Sequence, residues 1–376
     1  MKIAFALVNH APTDDRVWFQ ETSSLQKAGH DVSLISSRTS NKFFPNIHCF
    51  DDTGIPKKEL INKLASLLLQ INPEIVICDN PIAILAAHRY KKKRKEKIRI
   101  IYDITEWYPS KKNLRGMSVI RKIGKTFLLM QLSYYAAWLI DGFIFGEKDK
   151  AKPFRFFFSW KKYIYLPYYA TTSMVKVYPT KKMAEECTLL YSGSLTIEKG
   201  FDTVLSVATE LAKAFPSTQF VLQVISSQNI EEFILENKLC SDLQAYENLK
   251  IQTQPHLSYP VFCEEIGKAD LFFDLRQIDF ENTRCLPIKL FYYMAAGRPV
   301  IYSQLKAIKK EVQEADEIGF LVNPKDIKAI VSSISRYLTE QELYEEQCKK
   351  ARQLAEEKYN WSNLEQKLVD FIQSYG

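Results

Sequence analysis

The chain has 376 residues, of which 46% are hydrophobic and 25% charged. Those proportions exclude a disordered chain, and the length is too great for one ordinary core, so two domains of roughly 150–200 residues are expected. The net charge of +7 is unevenly spread: residues 1–170 hold 28 Lys/Arg against 15 Asp/Glu, and the rest hold 23 against 29.

In chain order, short apolar runs predict strands at Lys2–Asn9, Asp31–Ser37, Ile47–Asp51, Glu74–Asn80, Arg99–Glu106, Gly142–Glu147 and Tyr163–Leu166. Helical patterns lie between them near 15–29, 57–71, 82–95 and 118–138. Continuous runs such as Ile-Ala-Phe-Ala-Leu-Val predict strands buried on both faces, hence a parallel sheet covered by helices. The pattern fails over 171–186, where Thr171, Thr172, Ser173 and Pro179 predict a linker. It restarts with strands at Leu189–Leu195, Gln219–Ser226, Leu249–Gln254, Leu271–Leu275, Pro299–Ser303 and Gly319–Val322, again with helices between. A last amphipathic helix, about Ser362 to Gln373, follows Trp361. The expected architecture is α/β: two doubly wound Rossmann-like domains, 1–170 and 187–359. Ligands of such sheets sit outside the carboxyl ends of the strands, where strand order reverses.

Two stretches of the second half suit an anionic ligand. In Leu-Leu-Tyr-Ser-Gly-Ser-Leu-Thr-Ile-Glu-Lys-Gly (189–200), a buried strand ends at Gly193, where backbone can approach a ligand closely. Lys199 then sits beside a helix N-terminus, whose N–H groups and dipole favour a diphosphate. In Pro287-Ile288-Lys289-Leu290-Phe291-Tyr292-Tyr293-Met294-Ala295-Ala296-Gly297-Arg298-Pro299-Val300-Ile301, Pro287 suits a first helical turn and Gly297 a C-terminal cap. Taken alone, each also fits a surface lysine in a loop or a well-capped core helix.

These stretches resemble motifs of the retaining GT-B glycosyltransferases of family 4, "G-(R/S)-L-x-x-x-K-G" and "P-x-K-x-F-E-Y-M-A-x-G-x-P-V-I". Asp14-Asp15-Arg16-Val17, with Glu21, Leu25 and Gly29-His30-Asp31-Val32, is similar to that family's opening, "D-x-R-V … E … L … G-H-x-V". Tyr102-Asp103-Ile104-Thr105-Glu106-Trp107-Tyr108-Pro109 is similar to its "Y-D-x-H-E-x-x-P". The resemblance covers essentially the whole chain: the tail, 360–376, with Trp361 before a final helix, resembles the family's helix that crosses back to the first domain. It implies a GT-B fold whose domains face across a cleft, with an acceptor-side first domain and a nucleotide-sugar-binding second domain.

By the same resemblance Lys199 binds the donor diphosphate, with Gly193, Ser194, Pro287, Ile288 and Lys289 around it. Tyr292 faces the donor ribose, Arg284 the transferred sugar, and Thr105 the reacting centre. Four positions depart from the family: Tyr292 and Arg284 stand for Glu, Thr105 for His, and Ser194 for an Arg common among members. Asn9-His10-Ala11-Pro12-Thr13 also replaces a Gly-Gly loop after the first strand. Asp103 and Glu106 end the fifth strand, where a carboxylate can orient an acceptor hydroxyl or stabilise a cationic transition state. His10, Asp14 and Arg16 complete the acceptor side.

The expected reaction moves a sugar from a UDP- or GDP-linked donor to a glycan or lipid-linked glycan in polysaccharide biosynthesis, with retention and without a metal or cofactor. The departures leave two other readings: a non-catalytic GT-B partner or scaffold, and a nucleotide-sugar epimerase. The histidines have no metal-ligand spacing and no DxD pair follows a strand. Seven cysteines standing singly, with no CxxC, predict reduced thiols in a cytoplasmic protein, and neither a signal peptide nor a spanning helix is expected. Arg89-Tyr90-Lys91-Lys92-Lys93-Arg94-Lys95-Glu96-Lys97, with Lys111, Lys112, Arg115, Arg121, Lys122 and Lys125, points to peripheral attachment at an anionic leaflet on the inner membrane face. The apolar stripe Phe127, Leu128, Leu129, Met130 and Leu132 is expected in the core. Nucleic acid is not expected, since no recognisable binding motif accompanies the charge.

Overall fold

Apolar runs without ladder-breaking residues become parallel strands, each followed by a chain that crosses back over a sheet face. The structure is a computed structural model describing residues 1–8, 10–39, 46–94, 96–104, 114, 116–239 and 246–376. It divides into two units: Met1–Tyr168 with Leu364–Gly376, and Tyr169–Asn363.

Unit 1 holds β1 (Lys2–Leu7), β2 (Asp31–Ser36), β3 (Ile47–Cys49), β4 (Ile75–Cys78), β5 (Arg99–Ile104), β6 (Gly142–Phe145) and β7 (Lys162–Tyr165) in the order β3-β2-β1-β4-β5-β6-β7. All its pairings are parallel. Unit 2 holds β8 (Glu186–Ser192), β9 (Gln219–Ile225), β10 (Leu249–Gln254), β11 (Leu271–Asp274), β12 (Val300–Ser303) and β13 (Gly319–Val322) in the order β10-β9-β8-β11-β12-β13. Its pairings are parallel too. Strand order therefore reverses between β1 and β4 in one unit and between β8 and β11 in the other. Both are Rossmann-like domains, each with its own buried apolar core.

The helix after β1 begins irregularly. Asp14 accepts hydrogen bonds from the N–H groups of Arg16 and Val17, and the chain then forms a π-helix, Asp15–Thr22, before an α-helical end, Ser23–Lys27. A π turn is wider than an α turn, and such turns recur at functional sites. Here it brings the side chains of Arg16 and Glu21, five residues apart, together inside the unit.

Three expectations change. Residues 171–186 are not a free linker but pack on unit 2: Val175 and Met183 are buried, and Arg298 donates to the carbonyls of Tyr178 and Pro179 at 2.7 and 3.2 Å. A helix at Lys148–Phe157 was concealed in the sequence by Pro153 and by a start without a side-chain cap. The third concerns the helix Val119–Trp138, where Leu129, Ser133, Ala136 and Ala137 are buried. Phe127, Leu128 and Met130 stand exposed rather than in the core, because the inward-facing side of this helix is mostly small residues.

Candidate active site

In unit 2 the reversal point is lined by three loops. After β8, Gly193 takes φ +141°, and a Cβ there would lie 2.9 Å from Lys289 Nζ. Lys289 donates to the Ser192 carbonyl, so its ammonium lies against the end of β8. Ser194 is exposed, and its carbonyl accepts from the Tyr191 hydroxyl at 2.7 Å. Gln228 Oε1 accepts from Leu195 N–H at 2.7 Å, fixing the same loop to the turn after β9.

Thr196 Oγ1 caps the turn Ile197–Lys199, accepting from Lys199 N–H at 3.1 Å. Gly200 then takes the left-handed conformation, φ +75°, and opens the 14-residue helix Phe201–Ala214. A Cβ on Gly200 would sit 1.8 Å from the Leu275 carbonyl. Glycine is thus required both by φ and by contact with the loop after β11. The Gln277 N–H donates to the Glu198 carbonyl at 3.0 Å, joining the same two loops. The Lys199 side chain is 40% exposed, with Glu198 at 3.9 Å. Its ammonium is therefore available to an anion.

After β11, Arg276 forms a two-pronged ion pair with Asp274, Nε to Oδ1 at 2.6 Å and Nη2 to Oδ2 at 2.7 Å. Arg284 is exposed, its guanidinium 3.6 Å from the Phe280 ring centroid. The helix expected to open at Pro287 spans Lys289–Ala295, with a preliminary turn in which Leu290 N–H donates to the Pro287 carbonyl at 3.1 Å. Ile288 is exposed at the start of that turn. So short a helix has little dipole, and the positive charge here comes mainly from Lys289. Tyr292 is 4% exposed, its ring packed edge-on against Tyr259 and Phe262 at 5.7 and 5.9 Å.

In unit 1 the corresponding point is acidic and largely buried. His10 lies between two carboxylates: Nδ1 is 3.8 Å from Asp14 and Nε2 is 3.8 Å from Asp79. Asp79 accepts from Val8 N–H through both oxygens, at 2.9 and 3.1 Å. Burial nevertheless pushes its carboxyl up to about 7. Deeper in, Arg16 donates to Asp103 at 3.1 Å and to the Leu166 carbonyl at 2.9 Å, pairs with Glu21 at 2.8 Å, and lies 4.4 Å over the Tyr168 ring.

One guanidinium thus serves two buried acids. Burial raises both, Glu21 to about 8, and Asp103 against the pull of Arg16. Arg16 itself is desolvated, yet Asp103 and Glu21 hold it firmly charged. A single guanidinium balances only one of the two negative charges, and a second, unbalanced charge in a buried site is costly. Burial works against ionisation of Asp14, but its bonds to His10 and to two N–H groups lower its pKa overall.

Residues 179–354 match the family model for glycosyl transferases group 1. Unit 2 is a group 1 glycosyltransferase domain. A Haemophilus influenzae chain described as an uncharacterized glycosyltransferase is 23% identical over 379 residues, spanning 95% of this chain and 96% of the relative. Two solved structures share the whole fold. Sucrose-phosphate synthase from Thermosynechococcus elongatus has a TM-score of 0.71 at 15% identity, over 99% of this chain and 98% of its own. Anabaena HepE, solved with UDP-glucose, has a TM-score of 0.70 at 12% identity over 100% of both chains. The protein is a glycosyltransferase of GT-B fold.

Within this glycosyltransferase, Gly193, Ser194, Lys199, Lys289 and Arg284 come from loops at one end of one sheet, and His10, Asp14, Arg16 and Asp103 from the matching end of the other. Thr105 and Glu106 lie outside the described residues. Sequence reasoning passed over Asp79 and Tyr168. The signal for Asp79 was present: it directly follows the buried run Ile75–Cys78, so it had to emerge at the carboxyl end of a central strand. Tyr168 had no comparable signal, because its contact with Arg16 bridges distant parts of the chain.

Proposed function

We propose that this glycosyltransferase moves a sugar from a UDP- or GDP-linked donor to a hydroxyl of a glycan or lipid-linked glycan, with retention at the anomeric carbon, in polysaccharide biosynthesis at an anionic membrane surface. The observation that carries the donor reading is the half-exposed Lys199 on a glycine-bounded loop at the strand reversal, with Lys289 against the end of the same strand. The UDP-glucose complex of HepE supports a nucleotide-sugar donor.

In the proposed reaction the bond from the anomeric carbon to the diphosphate oxygen breaks, and the leaving oxygen gains negative charge. Lys199, the N-terminus of helix Phe201–Ala214 and Lys289 stabilise that charge without a metal. The acceptor oxygen bonds to the same carbon on the face the leaving group vacates, as retention requires, and its proton passes to the departing diphosphate. His10 positions the acceptor hydroxyl, held by Asp14, with the buried Arg16–Asp103 pair supporting the site from behind. Tyr292, with its ring fixed against Tyr259 and Phe262, forms a wall on the donor side rather than replacing a carboxylate.

The test is release of nucleoside diphosphate from UDP- and GDP-sugars across an acceptor panel, with product stereochemistry read by NMR. Turnover that depends on both donor and acceptor is expected. Conversion of the donor sugar without acceptor would make the protein an epimerase, and calorimetric silence towards every donor would make it a scaffold.

A further inference from the structure

The exposed apolar side chains of unit 1 are not scattered. On the helix Val119–Trp138, Ile120, Ile123, Phe127 and Met130 recur at three- and four-residue spacing, Trp138 follows two turns later, and all five are exposed, Ile120 at 83% and Trp138 at 63%. A soluble helix ordinarily turns such a stripe inward; here the buried side is Leu129, Ser133, Ala136 and Ala137. The stripe continues onto neighbouring chain. Trp138 meets Trp160 at 6.1 Å, Tyr134 meets Phe157 at 5.2 Å, and Phe156 meets Phe157 at 5.0 Å. Phe156, Phe157 and Trp160 are 80, 54 and 65% exposed. Two helices and the turn after them thus share one apolar, aromatic surface, more continuous than monomeric proteins usually present to water.

Charge on the same segment decides what covers it. Helix Val119–Trp138 carries Arg121, Lys122 and Lys125 with no acid, whereas Lys150 and Lys152 of the next helix pair with Glu147 and Asp149 at 2.9 and 2.7 Å. No helix among the described residues is long and apolar enough to cross a membrane. The basic run near residue 90 is a poorer candidate, since its charges are partly satisfied within the protein: Lys91 and Arg99 each pair with Asp141 at 3.1 Å, and Arg94 pairs with Glu96 at 2.6 Å.

We infer that helix Val119–Trp138, with Phe156, Phe157 and Trp160, is the surface by which the protein lies on an anionic lipid leaflet. The inference rests on the membrane reading above and names its contact face. The helix lies in the plane of the interface with Ile120, Ile123 and Phe127 among the acyl chains, while its cations Arg121, Lys122 and Lys125 meet lipid phosphates. Trp138 and Trp160 sit at the headgroup level, where amphipathic rings are favoured.

The experiment is flotation of the full chain with phosphatidylcholine vesicles, with and without phosphatidylglycerol, together with tryptophan fluorescence. The native chain should float only with phosphatidylglycerol present, with a blue shift that disappears in W138F/W160F. The variant I120S/I123S/F127S should bind about tenfold or more weakly at an unchanged thermal midpoint, because all three positions are exposed. Replacing Arg121, Lys122 and Lys125 by Gln should weaken binding and reduce its dependence on salt. Native-like binding by the triple serine variant would overturn this face while leaving the membrane reading intact. Failure of the native chain to bind either vesicle would overturn both. A lipid-free dimer that the serine variant converts to monomer would assign the face to a second copy of the chain.

Discussion

The two sheets have the same kind of reversal point but opposite chemistry around it. In unit 2, between β8 and β11, the loops carry glycines, a half-exposed Lys199 and Lys289 laid against a strand end. In unit 1, between β1 and β4, the same topological position carries Asp79, His10 and Asp14, with Arg16, Asp103 and Glu21 buried behind them. The difference teaches that topology fixes where a ligand binds and loop chemistry fixes which ligand. An exposed ammonium beside tight glycine turns suits a polyanion that brings its own charge. Buried acids sharing one guanidinium suit a neutral hydroxyl that has to be held and oriented.

The comparison breaks most visibly at Lys199. Lys199→Ala should lower kcat/KM by about 10²–10³, the usual loss when one preorganised donor to a developing anion is removed. Steady-state kinetics with a fixed acceptor measures it. Full activity in this variant would remove unit 2 from its assigned role. The loop's shape is the next target. Gly200→Ala needs a left-handed backbone and a Cβ 1.8 Å from the Leu275 carbonyl, so stability should fall by on the order of 2–4 kcal/mol. Urea unfolding reads it, and an unchanged midpoint would mean that the loops after β8 and β11 are not in contact.

How much of this was legible beforehand follows from the physics of each signal. Buried strands announce themselves by uninterrupted apolar runs, and Lys57–Ile71 shows a helix whose spacing alone marked both ends. The donor loops were legible because Gly193, Gly200 and Lys199 act through local backbone geometry. Tyr292 was harder: its place in the motif pointed to a ribose, but burial against Tyr259 and Phe262 depends on packing from a different helix. The apolar stripe at 119–138 was misjudged for a related reason. Periodicity tells which residues share a helix face, but not whether another element covers that face.

Unit 1 can be sharpened through pH. Asp79 is raised by burial to about 7, so the folded state holds its proton more tightly than the unfolded chain. Its contribution is complete below the ordinary carboxyl range and is lost as pH rises through about 7. The sign is that of falling stability with rising pH, by on the order of 2 kcal/mol after allowance for His10, 3.8 Å away, and for the nearby Asp103. Asp79→Asn can still accept from Val8 N–H and should flatten that part of the profile. The slope continuing to higher pH belongs to Glu21, raised to about 8. Unfolding midpoints measured across the acid-to-neutral range check this, and a variant parallel to the native chain would deny Asp79 its buried proton.

Tyr292 gives the smallest effect and the finest discrimination. Were its hydroxyl to replace the carboxylate on the donor ribose, Tyr292→Phe would remove one neutral hydrogen bond and raise the donor KM by up to about tenfold. With the ring serving as a buried wall against Tyr259 and Phe262, the same change should leave KM and kcat within about threefold. Tyr292→Ala should instead lower stability by about 3–5 kcal/mol, because it opens a cavity among aromatic rings. Kinetics and unfolding on the pair separate the two roles. A marked KM effect in Tyr292→Phe at native stability would move the residue from the wall of the donor site to the donor itself, and unit 2 would then recognise its ligand by neutral hydrogen bonding as well as by charge.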